Sequence, residues 1–205
     1  MKVTTYLNYS RTLIFCLVTI FLSGCITVNL VQPYDSDLYS NTESFYKKAS
    51  ALIADGVSVS PVSNKERDLI SSQEKEKHPG HYKQFKVKYD SLLIDANALI
   101  LRALASSGRI DLKAQQIHTK IENAITKSSP GNCDDLQKQY SNVSLTVRNF
   151  LDLKCMIGNW EKQHNSTKFT GGKLILKKAN WEARSKTLFD GIIAIQKAEA
   201  SKKDK

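Results

Sequence analysis

Glycine and proline are scarce here, nine and four among 205 residues, a balance that excludes collagen-like repeats and long flexible linkers. Catalytic signatures are missing as well. There is no H-E-x-x-H, no G-x-S-x-G and no Gly-rich phosphate loop, since Gly171-Gly172-Lys173 lacks the upstream glycine that such a loop needs. Ser44-Phe45-Tyr46-Lys47 spells S-x-x-K, but its S-D-N and K-T-G partners are absent and the chain is too short for the fold that uses them. No internal repeat of solenoid length recurs. What is present is ordinary globular usage, 41% hydrophobic and 24% charged, which argues against wholesale disorder.

The N-terminus departs from that average. Residues 1–11 carry Lys2 and Arg11 and no acid, and residues 12–22 (TLIFCLVTIFL) form an uncharged apolar run of eleven. As a helix that run spans about 16 Å, against roughly 30 Å of hydrocarbon core, so it reads as a secretory leader rather than a membrane span. Directly after it stands Leu22-Ser23-Gly24-Cys25. Charge, apolar run and box, in that order, resemble the signal peptide and lipobox of bacterial lipoproteins. The resemblance implies cleavage between Gly24 and Cys25, a diacylglyceryl thioether on the Cys25 sulfur, and acylation of the new amino group. A thiol is the nucleophile that such a thioether requires. Two or three acyl chains, at about 0.8 kcal/mol per buried CH₂, make dissociation from a membrane negligible. Ile26, where enteric-type bacteria use Asp for inner-membrane retention, leans toward the outer membrane. The organisation expected is a signal peptide at 1–24, a lipidated tether at 25–33, a helical domain at 34–198 and a basic disordered tail at 199–205. The folded part also resembles, on Tyr89, Leu92, Asp95, Leu99, Arg102 and Ala103, a scattered group of uncharacterised helical envelope lipoproteins.

In the mature chain the dominant signal is a three-four apolar spacing. Leu38, Phe45, Ala49 and Leu52/Ile53 predict a helix opening at Asp35 or Ser36 and closing at Asp55-Gly56. Residues 57–80 read as irregular, with one helical turn near Glu66–Ile70 and a firm break at His78-Pro79-Gly80. Tyr82, Phe85, Tyr89, Leu92, Ala96, Leu99 and Ala103 give the clearest helix, ending at Ser106-Ser107-Gly108. A further helix is expected from Asp111 through Ala124/Ile125. Another runs from about Asp134 to Trp160 or beyond, and the last carries Leu174, Trp181, Leu188, Ile192 and Ile195. No strand alternation competes with these periods, so the predicted fold is an all-α, antiparallel bundle of four or five amphipathic helices. A loop as long as 57–80 is unusual in a compact bundle and tends to be functional or mobile.

Charge points to surroundings rather than to chemistry. The formal charge is +10, and losing Lys2 and Arg11 with the leader leaves +8. Much of it falls late, in Lys173, Lys177, Lys178, Arg184, Lys186, Lys197, Lys202, Lys203 and Lys205, which reads as a solvated basic helix face with a frayed tail. Such a field suits anionic lipid headgroups or an anionic envelope polymer; no nucleic-acid partner is expected.

After cleavage and lipidation two cysteines remain, Cys133 and Cys155, and an oxidising envelope favours one disulfide. One helix over 134–160 opposes it, because 22 residues of helix span about 33 Å whereas bridged Cα atoms lie within roughly 7 Å. Either that helix breaks near Ser141–Ser144 or the thiols are unpaired or intermolecular, and the spacing narrowly favours the second. His78 and His81 have no third ligand beside them, so no metal is expected. Asp134-Asp135 suits a helix start, and Trp160 and Trp181 suit the cap of a bundle core. The sequence thus reads as a membrane-anchored, non-enzymatic binding or structural module of the envelope, with no cofactor beyond the lipid on Cys25. An envelope inhibitor or immunity protein, and an unrecognised hydrolase, stay open beside it.

Overall fold

A short acidic side chain starts the first helix. Asp35 Oδ1 accepts the N–H groups of Asp37 and Leu38, both at 3.0 Å, which satisfies two of the amides a helix leaves orphaned. Helix α1 then runs Ser36–Val59 and buries Leu38, Phe45, Ala49, Leu52 and Ile53 on one stripe. The computed structural model describes residues 34–106 and 143–203. The leader, the tether, the helix expected from Asp111 and Cys133 lie outside the described residues. Within them the fold is all-α: α2 (Asn64–Leu69), a 3₁₀ turn (Lys75–Lys77), α3 (Tyr82–Ser106), α4 (Leu145–His164) and α5 (Lys178–Ala200) follow α1.

Four packed pairs, α1–α3, α3–α4, α4–α5 and α5–α1, close a ring of the four long helices. Their side chains fix the directions. Lys48 meets Asp95 and Lys88 meets Asp55, so α1 and α3 run antiparallel. Tyr82 on the first turn of α3 donates to Glu161 near the end of α4, Arg184 near the start of α5 reaches Trp160 on α4, and Trp181 reaches Ser60 just past α1. Each neighbour in the ring is therefore antiparallel, an up-down-up-down bundle. Its interior is filled by Phe45, Phe85, Tyr89, Phe150, Ile157, Trp181 and Leu188 with their aliphatic neighbours.

Three boundaries differ from the expected ones. Helix α1 does not stop at Asp55-Gly56 but continues to Val59, because Gly56 faces the Trp181 ring and serves as a slot for it. Helix α4 starts at Leu145 behind Ser144, whose hydroxyl accepts the Val147 N–H at 3.3 Å; it is not one helix from Asp134. Leu174 and Ile175 precede α5 rather than belong to it: Ile175 bridges His81, and Leu174 carries a left-handed φ of 54°.

The long connection 57–80 is docked rather than loose. Ser63 caps α2 by accepting the Glu66 N–H at 3.1 Å, Lys173 Nζ donates to the Ile70 carbonyl at 2.6 Å, and Arg67 is buried at 8% exposure against Gly171. Nor is the chain frayed from residue 199. Glu199 and Lys202 are 1% and 8% exposed, and Lys202 Nζ bonds both Glu199 and Thr146 on the first turn of α4. A buried pair needs such extra bonds to offset its desolvation.

At the C-terminal end of α3, Arg102 forks onto Asp35 at 2.9 to 3.1 Å, and Ser106 adds a bond at 3.1 Å. Burial raises the Asp35 pKa, but bonds from Arg102, the Leu38 amide and Ser106 outweigh it and hold the carboxyl below its usual value. Asp35→Ala is expected to lower stability by about 1–2 kcal/mol, the loss of an N-cap. Asp35→Asn keeps the cap oxygen and retains most of it, and urea midpoints of the two variants compare the outcomes.

Candidate functional site

The pole where α1 ends and α5 begins carries a buried polar network. Two loops are sewn together there: the Tyr82 N–H donates to the Leu174 carbonyl at 2.9 Å and the Lys178 N–H to the Pro61 carbonyl at 3.0 Å. Inside them lies His164, fully buried at 0% exposure. Its Nε2 is 3.1 Å from the Gly80 carbonyl, which can only accept, so Nε2 bears the hydrogen. Nδ1 is then the acceptor for the Tyr89 hydroxyl at 3.1 Å. Tyr89 oxygen in turn accepts from Arg184 at 2.8 Å. The bonds run one way, from Arg184 through Tyr89 and His164 to Gly80.

Rings seal this chain. Phe85, Trp181, Tyr82 and Tyr89 have centroids 5.3, 5.4, 5.7 and 5.9 Å from the His164 ring. The Arg184 guanidinium lies 4.7 Å from the Trp181 centroid and 5.5 Å from that of Trp160, within cation–π range of both. Burial disfavours charge throughout: it pushes His164 down to about 3, Tyr89 up to about 12 and Arg184 below its usual range. His164 is thus a neutral imidazole across the physiological range. A general base must reach its substrate; this one has both nitrogens committed and no exposed edge. The network pins α3, α4, α5 and the 60–81 connection together.

Beside the network, α4 and α5 leave an open groove of about 590 Å³, within the span of ligand sites. Trp160 and Arg184 line it with the carboxylate of Asp152 and the amides of Asn159, Gln163 and Asn180, and Phe169 is 45% exposed beside them. Arg184 is 4% exposed and has no carboxylate partner among the described residues. A second, shallower hollow of about 500 Å³ lies between α2 and the 3₁₀ turn, lined by Glu66, Leu69, Ile70, Glu74, Lys77 and His78.

Gly24, Cys25 and Cys133 lie outside the described residues. Cys155, 7% exposed on α4, lines the groove and is disulfide-bonded. This corrects the expectation of an unpaired thiol, and the reason is the break at Ser144: the objection assumed one unbroken helix from Asp134. His78 and His81 each use Nδ1 locally. His78 Nδ1 accepts the Gly80 N–H at 3.0 Å and His81 Nδ1 accepts the Lys83 N–H at 3.2 Å. Trp160 and Trp181 are core residues at 5% and 0% exposure. Arg184 and Lys202 correct the reading of a uniformly solvated basic face, since both are buried. Sequence reasoning missed the Arg184–Tyr89–His164 chain, whose members are 20 to 95 residues apart. The one available signal was a histidine, a tyrosine and an arginine each standing on an apolar stripe.

Among the described residues no helix is long and apolar enough to cross a membrane. Compared with protein-family models, curated proteins and solved structures, the chain matches none. Fold and site therefore define a class: among the described residues, an antiparallel helical bundle with a sealed polar network and an open groove between α4 and α5.

Proposed function

We propose that the protein is a lipid-anchored module of the bacterial cell envelope whose helical domain binds another envelope component and performs no catalysis. The observation that carries this reading is Leu22-Ser23-Gly24-Cys25, set directly behind a basic segment and an eleven-residue apolar run. With Cys25 as the lipidated residue, eight residues, 26–33, separate the anchor from Tyr34, a tether that reaches about 30 Å when extended. Helix α1 starts at Asp35, and the polar network with Arg184 lies at the other pole of the bundle. Ile26 favours an outer-membrane address facing the periplasm. The binding reading draws support from the neutral, enclosed state of His164 and from the open α4–α5 groove.

Cells fed a fatty-acid analogue are expected to label the wild-type chain, which shortens to begin at Cys25 and fractionates with the outer membrane. Cys25→Ser is expected to abolish labelling and membrane retention together. A Cys25→Ser protein that is still labelled and cleaved would remove the basis of the proposal.

A further inference from the structure

Four helix ends meet at the pole that carries Asp35. Arg102 near the end of α3 forks onto Asp35, and Lys202 behind α5 bonds Thr146 on the first turn of α4. Lys203 stands 4.7 and 5.8 Å from the ring centroids of Tyr34 and Tyr39. Next to Thr146, Leu145 is 54% exposed, although the two residues that follow it are buried. Residues 34–42, 100–106, 143–151 and 194–203, the terminal turns of the four helices, carry five cations and three carboxylates. Asp35 and Asp37 share Arg102, and Glu199 holds Lys202. That leaves Arg148, Lys197 and Lys203, all exposed and without a carboxylate partner among the described residues. An exposed leucine, half-buried tyrosines and surplus cations suit a membrane–water boundary, where aromatic rings sit at headgroup level and basic side chains meet anionic lipid.

We propose that this pole docks on the anionic lipid surface that holds Cys25, with Leu145, Tyr34 and Tyr39 at the headgroup boundary and Arg148, Lys197 and Lys203 against the phosphates. The proposal rests on the lipid anchor read above. The eight-residue tether reaches about 30 Å, whereas α3, with 25 residues, is about 37 Å long. An upright bundle can therefore set the Asp35 pole on the leaflet but cannot stand on the other one. Docking holds the bundle upright and turns the pole of His164 and Arg184 away from the lipid.

The test reconstitutes the full lipidated chain in vesicles whose acyl chains carry bromine near the headgroups, which quenches tryptophan fluorescence only at close range. Wild type supplies the reference, because its two tryptophans, Trp160 and Trp181, both stand beside Arg184 at the other pole. Leu145→Trp adds a third at the proposed boundary. On vesicles rich in phosphatidylglycerol the added tryptophan is expected to lose most of its emission while the native pair stays nearly unaffected. Arg148→Glu combined with Lys203→Glu is expected to cut that quenching severalfold with an unchanged melting curve, since each basic side chain at an anionic surface contributes about fivefold in affinity. Molar salt, which shortens the screening length to about 3 Å, should do the same without any substitution. Absence of quenching in Leu145→Trp, equal quenching of the wild-type tryptophans, or quenching undiminished on phosphatidylcholine vesicles or in molar salt would overturn the docking. The intact mass of the same sample reports the acyl chains on Cys25, so a missing anchor and a missing docking are told apart.

Discussion

Gly56→Ala is expected to cost the fold about 3 kcal/mol or more, although helix propensity alone predicts a gain. Gly56 stands inside α1, where alanine would be better by roughly 1 kcal/mol. A Cβ placed there falls 2.2, 2.3 and 2.6 Å from three atoms of the Trp181 ring. That ring has little freedom to retreat. It is fully buried, its Nε1 donates to Ser60 at 2.9 Å, and it packs on Phe85 at 5.1 Å, His164 at 5.4 Å and the Arg184 guanidinium at 4.7 Å. Overpacking typically costs about 1–3 kcal/mol, and more where a rigid group must move. Displacing Trp181 also disturbs the network that pins the pole, so the clash outweighs the propensity. Against a total stability of about 5–15 kcal/mol, a large fraction is at stake. Gly191→Ala is the control, since a Cβ there meets nothing within 4 Å in the middle of α5; it should raise stability by about 0.5–1 kcal/mol. Chemical denaturation of both variants decides the matter. A further check is Gly56→Ala combined with Trp181→Leu: the pair should be less unstable than the two single losses added together. Strict additivity, or a Gly56→Ala midpoint at or above wild type, would show that the ring can move aside.

Gly56 also shows where sequence reading stops. The apolar stripes of α1 and α3 were legible because a 3.6-residue period is a local signal, and Leu38, Phe45, Ala49, Leu92, Ala96 and Leu99 all fall in the core. A glycine behind an aspartate looks like a helix stop by the same local logic. Its true role comes from a tryptophan 125 positions later, and no local rule sees that. Arg184 was misplaced for a like reason: among so many late lysines it counted as one more surface charge. Only the packing of α4 against α5 and α3 buries it. The α4 boundary was partly legible, since Ser144 is a strong cap and Ser141–Ser144 was the weak point of the longer helix. The apolar period across 134–160 suggests one helix and so hides the disulfide at Cys155, whereas the helix that carries Cys155 starts only at Leu145. Of the candidate site, the tryptophans could be read as core, while the groove, being a gap between elements, left no trace in any single segment.

Acid should weaken the protein well before its carboxylates titrate. His164 has a folded pKa of about 3, against roughly 6.5 for a histidine in an unfolded chain. The unfolded state therefore binds the proton first, and stability falls as pH drops through 6.5, continuing until the folded pKa is reached. At about 1.4 kcal/mol per pH unit, the full window carries on the order of 5 kcal/mol, and roughly 2 kcal/mol of it is gone by pH 5. His78 and His81 are also lowered by burial and act in the same direction. Asp35 acts later, because its lowered pKa gives stability that is lost only as pH falls below the ordinary carboxylate range. The interval between pH 6.5 and 5 thus isolates the histidines. His164→Gln replaces the titrating ring with a side chain that still offers a donor and an acceptor to Gly80 and Tyr89. It is expected to be less stable at pH 7, yet to lose distinctly less stability than wild type between pH 7 and 5. The same slope in both proteins would mean that the buried ring takes up its proton without unfolding. In that case the Arg184–Tyr89–His164 chain would have to reorganise around an imidazolium, with Gly80 and a turned Tyr89 hydroxyl as its acceptors, and proton uptake would then show as a change in the fluorescence of Trp181 beside it.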